Sequence, residues 1–162
     1  MNDLKKELII EKQLIILDNV LVYDLETIKG CFLAFFYSPL TGEFYDFICN
    51  SKRNDISTLL KFLEDNQDKY FIGYNNINFD SQIIEKMMDC QDFLIGMRGE
   101  EVSKFLWQFA QDLIETTKFG GFLPYKEYQL RYKQIDPFKI LHGENKNRIA
   151  NMSLVLASLK LG

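Results

Sequence analysis

Val20-Leu21-Val22-Tyr23-Asp24-Leu25-Glu26-Thr27 is the stretch from which the rest of the chain can be read. It opens with a short apolar and aromatic run, long enough for a buried strand and too short for a helix. The run leads straight into Asp24 and Glu26. One residue separates these acids, so on a strand both side chains point to the same face. Two carboxylates side by side at the end of a buried strand repel each other and lose solvation. A divalent cation is the natural compensating charge. The plainer alternative is a half-exposed strand end with two solvated acids, and these residues alone leave both open.

Working outward, Lys29-Gly30 reads as a turn, Cys31 to Ser38 as a strand, Pro39-Leu40-Thr41-Gly42 as a second turn, and Glu43 to Asn50 as a third strand. Consecutive strands with tight connections predict an antiparallel meander. A helix follows from Asp55 to about Asp65, with Ile56, Leu59, Leu60 and Leu63 at helical spacing. Tyr70 to Tyr74 reads as another buried strand, ending in Asn75-Asn76-Ile77-Asn78-Phe79-Asp80. Helices are expected over Ser81 to Asp89 and Glu100 to Thr117. A strand is expected from Leu130 to Ile135, ending at Asp136, then a helical turn from Pro137 to Leu141 and a last helix from Leu154 to Leu161. Met1 to Asn19 fits either a short strand or a docking helix. Strands first and then strands alternating with helices predict an α/β fold, a mixed sheet with helices packed on it.

At 162 residues the chain is expected to form one domain with a sizeable core, and 47% hydrophobic with 14% aromatic residues is a globular composition. No apolar run is long enough to span a membrane, and the N-terminus does not read as a signal peptide. Cys31, Cys49 and Cys90 have no CxxC spacing, which favours free thiols in a reducing compartment. A cytoplasmic location is therefore expected. Residues 1–117 hold 11 Lys and Arg against 20 Asp and Glu, whereas residues 118–162 hold 8 against 3. The basic C-terminal part is either a phosphate-contacting strip or a solvated face. Arg131, Lys133, Lys146 and Arg148 are the candidate phosphate contacts, and their use would make binding steeply salt-dependent.

If the Tyr70–Tyr74 strand lies beside the first one, Asp80 meets Asp24 and Glu26 at one edge of the sheet. Three converging carboxylates with no Lys or Arg among them call for a hard cation, Mg²⁺ or Mn²⁺. Two such ions roughly 4 Å apart can activate water and stabilise the leaving oxygen of a phosphodiester.

Asp24-Leu25-Glu26-Thr27 resembles the first motif, D-x-E, of the DEDD 3′–5′ exonucleases, and Asn76-Ile77-Asn78-Phe79-Asp80 resembles the second, N-x-x-F-D. The chain from Val20 onward is most similar in order to the proofreading domain of family B DNA polymerases, the protein-primed phage type in particular. The resemblance implies a ribonuclease H-like mixed sheet for residues 20–162, with residues 1–19 an N-terminal extension. It implies Asp24, Glu26 and Asp80 as ligands of Mg²⁺ or Mn²⁺. Thr27, Asn76 and Phe79 would hold the 3′ end of single-stranded DNA or RNA. Phe79 would stack on a base without reading sequence. From the residues alone, Phe79 reads equally as core and Asn76 as a turn or cap.

The family has a fourth acid, in a third motif on a late helix. The one literal Y-x-x-x-D here runs from Tyr132 to Asp136, and Pro137 disfavours helical geometry at Asp136. Asp136 is thus the fourth-ligand candidate, with the alternative that the motif lies beyond Gly162, the domain being cut short at its C-terminal end. A second chain would then supply the missing motif, or the protein would be an exonuclease-like module that binds nucleic acid or a protein partner, such as a host protein met by a phage protein, without cutting. An unrelated α/β domain with solvated acids is the third reading.

Overall fold

A computed structural model provides the structure, and residues 18–142 are the ones it describes. Residues 1–17, Lys146, Arg148 and the expected Leu154–Leu161 helix lie outside the described residues.

The opening stretch is the centre of the molecule. β1 (Val20–Ile28) pairs antiparallel with β2 (Cys31–Tyr37), and β2 pairs antiparallel with β3 (Phe44–Asn50). This is the expected meander. Gly30 closes the β1–β2 hairpin at φ 85°, a left-handed conformation that glycine adopts without steric cost. On the other side of β1 lie β4 (Tyr70–Ile72) and β5 (Lys133–Ile135), each parallel to its neighbour. The five-stranded order is β3-β2-β1-β4-β5, a mixed sheet with β1 at its middle.

The helices follow their apolar spacing. α1 (Ile56–Asp65) buries Ile56, Leu59, Leu60 and Leu63, the four residues singled out by periodicity. Asp55 precedes it but does not cap it. Its carboxylate accepts a hydrogen bond from the Ile48 amide at 2.9 Å and pairs with Arg53. α2 (Asp80–Asp89) starts at the acid itself, and α3 (Gln91–Ile95), a short helix that the sequence pattern does not predict, continues from it. α4 (Gly99–Lys118) spans the long amphipathic stretch, and α5 (Pro137–His142) closes the described chain. Among the described residues no helix is long and apolar enough to cross a membrane.

Two strands are shorter than expected. β4 stops at Ile72 because Tyr74 and Asn75 enter a turn in which Asn75 takes φ 58°. β5 begins only at Lys133, since Glu127–Gln129 form a 3₁₀ turn and the Arg131 amide donates to the Glu85 carboxylate of α2 instead of to a strand.

The two faces of the sheet differ. Tyr23 and Leu25 of β1, Phe32, Ala34 and Phe36 of β2, and Phe47 and Cys49 of β3 are buried in one core with α1, α2 and α4. Tyr23 stacks on Phe36 with centroids 5.8 Å apart, and Phe71 of β4 stacks on Tyr132 at 4.8 Å. Alternation puts Val22, Asp24 and Glu26 on the opposite face, where they are exposed, and Phe35 of β2, directly across from Asp24, is exposed beside them.

Candidate functional site

The two motifs meet where β1 outruns its neighbour. β4 pairs with β1 only as far as Val22, so beyond that point the β1 backbone on this side has no strand partner. Asp80 fills the gap: its Oδ1 accepts a hydrogen bond from the Leu25 amide at 3.2 Å. The second acid motif is therefore bonded to the residue between Asp24 and Glu26. Asp80 is buried, and Asp24 and Glu26 are exposed.

This arrangement is electrostatically costly. Burial, reinforced by the nearby Asp24 charge, pushes the Asp80 carboxyl up to about 8, and Glu26 adds to the rise against the pull of the Leu25 amide. Partial desolvation and the neighbouring Glu26 raise Asp24 as well. Among the described residues no arginine or lysine forms an ion pair with these acids; the ion pairs there are with other carboxylates.

The second motif is held from beneath. Asn76, fully buried, donates from Nδ2 to Gln134 Oε1 at 2.8 Å, and reaches the Ile135 carbonyl at 3.4 Å. The Tyr23 hydroxyl donates to the same Gln134 oxygen at 3.2 Å and lies 3.0 Å from Ser81 Oγ. Gly73 makes this approach feasible. A Cβ there would sit 2.9 Å from the Asn76 Cβ and 3.1 Å from the Tyr23 ring and carbonyl. Phe79 is half-buried and packs against the core. Its remaining surface, with Asn75, Asn78, Leu113, Thr117 and Leu123, lines a cleft of about 460 Å³. Thr27 sits half-buried near the end of β1, opposite Phe32.

Asp136 has a different role from the other acids. Its Oδ1 accepts hydrogen bonds from the Asn75 and Phe138 amides, both at 2.9 Å, which ties the second motif's turn to the start of α5. Tyr132 and Asp136 thus bracket β5 instead of sharing a helix, and Tyr132 is buried against Phe71. Asp136 Oδ2 and Asn76 Oδ1 are buried without a hydrogen-bond partner among the described residues.

The basic candidates are already engaged. Arg131 pairs with the buried Glu85 at 2.8 Å and also with Asp89. Lys133 donates to the Asp68 carbonyl at 3.0 Å and lies over the Tyr70 ring.

As a donor set, three carboxylates suit a hard divalent ion, and a cation there would offset both the burial and the Asp24 charge that raise Asp80. Among the described residues no group of three or more His, Cys, Asp and Glu side chains is already gathered as a metal site. Sequence reasoning missed Tyr23, Ser81 and Gln134, which underlie the acids. Tyr23 counted there only as one more residue of an apolar strand, and nothing local marks Gln134.

No family model matches the chain, and neither a curated protein nor a solved structure matches it.

Proposed function

We propose that the chain carries a metal-dependent 3′–5′ exonuclease site, acting on single-stranded nucleic acid ends, on a ribonuclease H-like frame. The observation that carries this reading is the bond from the Leu25 amide to Asp80, which joins the D-x-E and N-x-x-F-D segments across the end of β4. The strand order β3-β2-β1-β4-β5, with an antiparallel half and a parallel half, is compatible with the same frame.

In this reading Asp24, Glu26 and Asp80 hold Mg²⁺ or Mn²⁺. When bound, the ion supplies the positive charge that offsets the carboxylates and polarises the phosphodiester. Asp80, fixed by the Leu25 amide, is the rigid member, and the exposed Asp24 and Glu26 adjust around it. The cleft beside Phe79 receives the terminal nucleotide, with Asn75 and Asn78 offering amide groups and Leu113 and Leu123 an apolar wall. Asp136 is the candidate fourth carboxylate, with one oxygen spent on backbone amides and the other without a hydrogen-bond partner among the described residues. With Asp136 Oδ1 committed to backbone amides, turnover by this chain is expected to be low, because a misplacement of about 1 Å at a catalytic group can cost about a hundredfold.

A second reading is a binding module built on the same frame. It is favoured by the dispersed carboxylates and by the engagement of Arg131 and Lys133 within the fold. Degradation of a 5′-labelled single strand, with Mg²⁺ and with EDTA, separates the two. The exonuclease reading expects Mg²⁺-dependent shortening from the 3′ end, abolished by Asp24→Ala or Asp80→Ala. Loss in Asp136→Ala as well, with the melting temperature unchanged, makes Asp136 the fourth ligand. No shortening by the unsubstituted chain under any metal leaves the binding module.

A further inference from the structure

A connected polar cluster lies under the acids, not among them. Ser81 follows Asp80 at the head of α2, Tyr23 precedes Asp24 on β1, Gln134 is on β5, and Asn76 opens the second motif. Tyr23 has one hydroxyl proton and donates it to Gln134 Oε1 at 3.2 Å, so the 3.0 Å bond with Ser81 is donated by Ser81 Oγ. Asn76 donates to the same Gln134 oxygen at 2.8 Å. One glutamine oxygen thereby collects β1 and the motif turn, and the Tyr23 hydroxyl ties the head of α2 to the same point through Ser81. Tyr23, Ser81 and Asn76 are all buried, so breaking any of these bonds strands a polar group away from water.

We propose that Tyr23, Ser81, Gln134 and Asn76 are positioning residues that hold the head of α2 against β1 and so set Asp80 beside Asp24, with Asn76 serving this layer instead of the nucleic acid strand. The consequence for catalysis rests on the metal-dependent site proposed above; the positioning itself does not. Asn76 has no exposed surface to offer a ligand, and its amide nitrogen is occupied twice. Gly73 supports the same conclusion, since the space its missing side chain leaves is taken by Asn76 and Tyr23. The layer acts as outer partners of a ligand set do, by fixing the orientation of groups it does not belong to.

The Leu25 amide proton reports this directly, because it is bonded to Asp80 Oδ1. The test compares ¹⁵N–¹H spectra, Mn²⁺ affinity and melting temperature for the full chain and three variants. Gln134→Leu removes the shared acceptor at a distance from Leu25. Tyr23→Phe removes one hydroxyl and keeps the ring. Tyr132→Phe, in a buried ring outside the layer, is the control. The first two are expected to move the Leu25 amide proton upfield and weaken Mn²⁺ binding about tenfold. The control should do neither. A Leu25 amide unmoved in Gln134→Leu, with only the melting temperature lowered, overturns the proposal. If the unsubstituted chain binds no Mn²⁺, the metal-dependent reading fails, and the Leu25 amide alone still decides the positioning.

Discussion

Asp80 is where sequence, fold and chemistry meet in one side chain. Its neighbours at the head of α2 carry it to the unpaired end of β1, and its carboxyl is buried beside Asp24. Because its pKa is raised from 3.8 to about 8, the fold favours the protonated, neutral form. The linkage follows in sign: the unfolded chain releases this proton near pH 4, the folded chain near pH 8, so stability from this group is full at low pH and is lost as pH rises between the two. Asp80→Asn keeps the shape and removes the titration. In EDTA its melting temperature should exceed that of the unsubstituted chain at pH 8, with the gap closing toward pH 4. A gap that stays constant with pH would place the charge cost elsewhere.

At the scale of elements, the 125–131 segment and α2 are clamped together. Gln82 of α2 bonds both the amide and the carbonyl of Tyr125 at 2.9 Å, the Tyr125 hydroxyl donates to Asp89 at 2.7 Å, and Arg131 bridges Glu85 and Asp89. Glu85 is almost wholly buried, so burial raises its pKa while the Arg131 amide and charge pull against that rise. Arg131 was a phosphate-contact candidate by composition; its guanidinium instead has a structural use. Arg131→Ala leaves the buried Glu85 carboxylate with a backbone amide but no charged partner and should cost about 3 kcal/mol, the low end for a broken buried pair because Arg131 itself is half exposed. Urea denaturation measures this, and Arg131→Ala with unchanged stability would return Arg131 to the surface strip.

Across the whole molecule, what could be read beforehand were features set by local periodicity. The meander followed from apolar runs broken by Lys29-Gly30 and Pro39–Gly42, and α1 from Ile56, Leu59, Leu60 and Leu63, each of which is buried. The parallel placement of β4 against β1 belongs to the frame that the motif resemblance implies, and β4 pairs with β1 in that sense over Val20–Val22. Features set by contacts distant in sequence were hidden. Nothing near Arg131 announces that Glu85, 46 residues earlier, will draw its amide out of the strand. Nothing near Gln134 marks it as the acceptor for a tyrosine 111 residues away. The acids themselves were legible because D-x-E and N-x-x-F-D are short local patterns, and their meeting depended on the Tyr70–Tyr74 strand lying beside the first, where β4 lies. That Asp24 and Glu26 share an exposed face was one of the two readings of the opening stretch, whereas the burial of Asp80 against the Leu25 amide is a property of the folded sheet.

The central claim is that Asp24, Glu26 and Asp80 act together on a divalent cation, and Mn²⁺ titration followed by electron paramagnetic resonance tests it most directly. At pH 7.5 the full chain is expected to take up at least one Mn²⁺ in a saturable, weak site, with that site lost in Asp24→Ala and in Asp80→Ala and retained in Asp46→Ala, an acid elsewhere on the sheet. Mn²⁺ binding that is absent, or that is unchanged when Asp24 and Asp80 are removed, would contradict it.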